Sequence, residues 1–151
     1  MARKTSTELF ELVKTMTPSE KRYFKLFTSL HTVGAENKYM KLFELLDQSE
    51  TYVEEDLIKG VNDKGGVTFS KLKKYLYSLI LKSMRNFNID KNGTHQLTSA
   101  IDDVSILFNK GLYKQANKSV VKAKKIIDEH DLLSYNFLID NWQRRINLHM
   151  G

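Results

Sequence analysis

Residues 107–127, LFNKGLYKQANKSVVKAKKII, decide how this chain folds. Gly111, Tyr113, Ala116, Val120 and Ala123 follow the spacing G-x-Y-x2-A-x3-V-x2-A. A glycine between two helical patterns lets the backbone reverse, and small side chains at helical spacing let the two helices lie close together. Upstream, Leu97, Ile101, Val104 and Phe108 recur at helical spacing. The stretch therefore predicts an antiparallel hairpin, with its second helix over Tyr113–Glu129. A further helix follows from about Leu132 to Leu148.

Toward the N-terminus five more helices are expected, and no strand. The first starts near Thr5–Thr7 and carries Leu9, Phe10, Leu12, Val13 and Met16. Thr17-Pro18-Ser19-Glu20 opens the second, with threonine as cap, proline in the first turn and Glu20 closing a capping box. Its core face is read as Tyr23, Phe24, Phe27 and Leu30. After a turn at Thr32–Asn37 comes a third helix with Tyr39, Leu42, Phe43, Leu45 and Leu46. A second box, Thr51 to Glu54, opens a short fourth helix with Leu57, Ile58 and Val61. Asp63-Lys64-Gly65-Gly66 breaks the chain before a long fifth helix, about Thr68 to Phe87. Its centre is Phe69, Leu72, Leu76, Leu79, Ile80 and Phe87, and Tyr75, Tyr77, Leu81 and Met84 widen the apolar arc. The fold class is thus all-α, about eight helices. A bundle at 1–93 continues into the hairpin and terminal helix at 94–151, on a shared core.

With 41 % apolar and 28 % charged residues the chain is too apolar for disorder. Cysteine is absent, which excludes disulfides and thiolate chemistry. No apolar run suits a signal peptide or a membrane span, so a cytoplasmic protein is expected. The net charge of +6 is uneven. Residues 1–66 hold 10 basic and 11 acidic side chains, residues 67–93 hold 6 and 1, and residues 94–151 hold 8 and 6.

The glycine–tyrosine–alanine spacing resembles the turn and second helix of a tetratricopeptide repeat, a helical hairpin of about 34 residues that stacks into binding scaffolds. The resemblance covers roughly residues 97–148. It departs at Val120, where a larger aromatic is usual, and at Ala100, Val104 and Leu107, which hold the family's Trp, Gly and Tyr positions. Asp128 stands at the closing proline position. It implies a groove lined by Ile101, Ser105, Phe108, Asn109, Tyr135, Ile139 and Trp142. Of these, Phe108, Asn109, Tyr135, Ile139 and Trp142 are the expected protein-binding residues. The whole chain is also similar to the N-terminal part of uncharacterised bacterial helical-repeat proteins, through TPSEKRYFKLF, KLFELLDQ and KLKKYLYSLILKSMRNF. That similarity brings no activity with it.

In the last helix, Leu132, Tyr135, Leu138, Ile139, Trp142 and Ile146 form one apolar face, and Leu133, Phe137 and Leu148 a second. Two such faces predict that a further helix, a second copy or a ligand covers the extra one, or that the chain's own N-terminal helices do. A different surface is offered by Lys71, Lys74, Ser78, Lys82 and Arg85, which fall within about 80° on an ideal helix. Residues 39–87 read as a helix-turn-helix with this lysine-rich face toward nucleic acid, the alternative function. A strip of lysine also suits plain solvation.

No catalytic constellation is expected. Asn88–Ser99 matches a calcium loop at Asn88, Asp90, Asn92 and Gly93, but Ser99 stands where the bidentate glutamate belongs. His31, His95, His130 and His149 form no ligand pair; His31 and His130 fall near helix C-termini. Asp102-Asp103 reads as a first-turn pair on the sixth helix, capped by Ser99. The expectation is a non-enzymatic scaffold or adaptor with no cofactor, no metal, no membrane and no small-molecule substrate.

Overall fold

The structure is a computed structural model that describes residues 6–30 and 37–151. It consists of α1 (Glu8–Thr15), α2 (Pro18–Ser29), α3 (Lys38–Gln48), α4 (Glu54–Gly60), α5 (Gly66–Asn88), α6 (Gly93–Asn109), α7 (Tyr113–Glu129) and α8 (Asn136–Met150). A single 3-10 turn, Leu133–Tyr135, leads into α8, and no strand occurs among the described residues. The fold is all-α. Thr5, His31 and the turn at 32–36 lie outside the described residues.

The chain divides into two units, Met1–Phe87 and Asn88–Gly151. Each has its own cluster of buried side chains. Asn92 caps α6, its side chain accepting from the Thr94 amide at 2.9 Å.

In the first unit the predicted box opens α2: the Glu20 amide donates to Thr17 Oγ1 at 3.2 Å, and the Thr17 amide to Glu20 Oε2 at 2.8 Å. The core is built from large residues, among them Phe24, Phe43, Phe69, Leu42, Leu76 and Ile80, with the rings of Phe24 and Phe43 4.7 Å apart. Polar ties surround it. Asp47 accepts from Lys14 through its backbone carbonyl at 2.9 Å and from Lys21 through its carboxylate at 2.5 Å, joining α1 and α2 to the end of α3.

Four expectations need correction. Leu30 is exposed, because it caps α2 beyond its last turn. Thr51 caps nothing: α4 begins after Val53, and Glu54 instead pairs with Lys73 at 2.9 Å. α5 starts at Gly66, and Tyr75 in its middle is 54 % exposed, so the apolar arc is narrower than expected. α6 starts at Gly93, which makes Ser99, Asp102 and Asp103 mid-helix residues and turns half of the calcium-loop pattern into helix.

Candidate interaction surfaces

The hairpin closes through the backbone. Gly111, at φ +74°, follows the end of α6. The Leu112 amide donates to the Leu107 carbonyl at 2.9 Å and the Gly111 amide to that of Phe108 at 2.9 Å. This is a Schellman stop, which a left-handed glycine makes easy. α7 stops the same way with Asp131 at φ 55°, the Leu132 amide donating to the Ile127 carbonyl at 2.9 Å. Ala100 and Val104 of α6 and Ala116, Val120 and Ala123 of α7 are all buried in this unit's core, the last three at the spacing read from the sequence.

An aromatic cluster ties α8 to the hairpin. Phe108 lies 5.5 Å from Trp142, 5.3 Å from Tyr113 and 5.1 Å from His149, each edge-on. The Arg145 guanidinium sits 4.7 Å from the Phe108 ring centre and 4.3 Å from that of Trp142. A shallow hollow of about 480 Å³ adjoins it, lined by Gly111–Gln115, His149 and Met150.

The predicted groove residues thus divide. Ile139 is fully buried in the hairpin core, so its side chain is not open to a partner. Phe108, Tyr135 and Trp142 are half-buried and pack against that core, Phe108 and Trp142 on each other. Asn109, the last residue of α6, is exposed. The open apolar surface lies instead on the second face of α8: Leu133, Phe137 and Leu148 are 59 %, 74 % and 82 % exposed. Phe137, Asn141, Arg144 and Leu148 follow one another at spacings of four, three and four, a seam of a and d positions that heptad reading would have found. Arg144 donates to Asn141 Oδ1 at 2.6 Å within that seam.

In the first unit, Lys71, Lys74, Ser78, Lys82 and Arg85 are all exposed on α5, opposite its buried Phe69, Leu76 and Ile80. Among the described residues none of these four cations has a carboxylate within ion-pair distance. Lys71, Lys74 and Ser78 border an open groove of about 1030 Å³, shared with Glu8 of α1 and with Ser70, Lys73 and Tyr77. Lys73 is committed elsewhere, to Glu54 and to the Tyr52 hydroxyl at 3.1 Å. Desolvation pulls its ammonium down, but the Glu54 and Tyr52 contacts outweigh it and hold it above the usual lysine range. Burial pushes the Tyr52 phenol up. A second row, Lys114, Lys118, Lys122 and Lys125, runs along α7 unnoticed by the charge count, because Asp128 and Glu129 follow it.

Asp128, Glu129, His130 and Asp131 are exposed around the α7 stop, and among the described residues no three such side chains converge as a metal site would need. No described helix is long and apolar enough to cross a membrane. The chain matches no protein-family model, no curated protein and no solved structure.

Proposed function

We propose that this chain is a non-catalytic, cytoplasmic scaffold of tetratricopeptide-like type that associates with a second copy of itself through the outer face of α8. The observation that carries this is the exposed seam of Phe137 and Leu148 flanking Asn141 and Arg144. The seam reads the same in both directions. If two α8 helices pair antiparallel about a two-fold axis midway between positions 142 and 143, Phe137 meets Leu148 of the second copy. Asn141 then meets its Arg144, so apolar faces apolar and donor faces acceptor. Tyr135 and Trp142 support the helix from behind rather than anchoring the partner.

The test is solution mass by light scattering over a wide concentration range. A concentration-dependent dimer is expected. Phe137→Glu should weaken it at least about tenfold, since a carboxylate would be buried against leucine. Adding Leu148→Lys should recover much of that loss, because in this register the new charges face each other. A monomer at every concentration, or no rescue by the second change, would refute the pairing.

A further inference from the structure

We infer that the exposed row on α5 binds the phosphodiester backbone of single-stranded nucleic acid, with Tyr75 stacking on a base. Lys71, Lys74, Lys82 and Arg85 span about 21 Å along one helix face. Ser78 completes a file whose members rise about 4.5–6 Å from one to the next. Neighbouring phosphates of a strand are separated by a similar distance. α5 carries no acidic residue in its 23 positions, and Lys73, the fifth cation, is already neutralised by Glu54. Among the described residues the other four have no carboxylate within ion-pair distance. Glu8, contributed by α1 to the groove beside the row, confines a polyanion to the α5 side.

Tyr75 lies at the edge of the file, one turn from both Lys71 and Ser78, with half its surface open and its ring 5.3 Å from Tyr39, edge-on. An exposed aromatic among unpaired cations is the arrangement on which unpaired bases stack. Lysines and a serine address phosphate and carry no base code, so the binding is independent of sequence. A lipid surface fits less well. Membrane-seeking helices turn an apolar face outward, and that of α5 is consumed by the core. The α7 row is a weaker candidate: exposed Val121 interrupts it, and Lys125 sits 3.7 Å from Glu129.

The experiment is fluorescence anisotropy of a labelled oligothymidine with the full chain, across a salt series. Four phosphate contacts give a log–log salt slope of about 3. Lys74→Gln with Lys82→Gln should lower that slope by about 1.4, at roughly 0.7 per contact. Lys118→Gln with Lys122→Gln makes the same charge change on α7 and should leave it unaltered. Tyr75→Ala should weaken binding at least about fivefold without moving the slope. All variants change exposed side chains, and an unchanged melting midpoint confirms that they fold. Equal losses from both lysine pairs would show a response to net charge alone and overturn the assignment. So would no binding at low salt, a duplex bound as tightly as the single strand, or capture by anionic phosphatidylserine vesicles in place of the oligonucleotide.

Discussion

The two units solve the packing of helices in opposite ways. In residues 6–87 large side chains fill the space between helices, and polar ties such as Lys21–Asp47 and Lys73–Glu54 link elements far apart in sequence. In residues 88–151 three alanines and two valines stand among leucine and isoleucine in the buried cluster, and Lys125 pairs with Glu129 within α7 itself. A core of large residues buries more apolar area per contact; a core of small ones brings backbones together and leaves large residues for the outside. The first unit accordingly turns charge to solvent on α5, and the second turns phenylalanine and leucine outward on α8.

The contrast predicts opposite sensitivities to side-chain size, and these are the largest effects. Phe24→Ala should cost the first unit about 3–5 kcal/mol, because a fully buried ring leaves a cavity. The hairpin should suffer from addition instead: Ala123→Leu forces methylenes into a sealed contact and should cost about 1–3 kcal/mol. Urea denaturation of both variants measures the pair. A hairpin that accepts Ala123→Leu without loss would mean that its helices are not closely apposed, and the comparison would collapse.

How much of this was legible beforehand depends on range. The α6–α7 hairpin could be read from Gly111, Ala116, Val120 and Ala123 because its determinants are local: one left-handed turn and small residues one helical turn apart. The α2 box was legible for the same reason. Glu54 misled because a capping box competes with any better partner, and Lys73 is brought to it from 19 positions away. Ile139 misled because a helical wheel shows that α8 has two apolar faces but not which one packs. Which face packs is decided by contacts with α7, and no periodicity in the sequence reports it.

A second prediction concerns the helix stops, which the units share in form but not in residue. Gly111, Asp131 and, in the first unit, Asn62 after α4 all take positive φ. Gly111→Ala meets no neighbouring atom, so its expected cost of about 1–2 kcal/mol is purely the left-handed backbone. Asp131→Gly relieves the same strain and should gain up to about 1 kcal/mol. Thermal melts of the two variants should shift in opposite directions. If Gly111→Ala is silent, the stop is held by packing and not by its backbone.

The smallest effect separates the units by acid. In the α4–α5 turn, Asp63 Oδ1 accepts from the Thr68 hydroxyl at 2.7 Å and the Gly65 amide at 2.9 Å, with the Lys38 ammonium 4.0 Å from the other oxygen. The Thr68 hydrogen bond, ahead of the Gly65 amide and Lys38, holds this carboxyl below its ordinary value of 3.8. A lowered value in the folded state means that the unfolded chain binds the proton first. The contribution is therefore complete above pH 4 or so and fades as pH falls through the folded value. Lys73 has the opposite sign: held above 10.5, it stabilises below that value and its contribution disappears only as pH rises past the folded one. Asp63→Asn keeps an oxygen acceptor but loses the charge. It should flatten the acid limb of the first unit's stability, followed by urea midpoints from neutral pH to pH 2.5, and leave the alkaline limb intact. An unchanged acid limb would show that the hydrogen bonds of this turn hold without the charge, and that polar ties matter less to the first unit than its aromatic core.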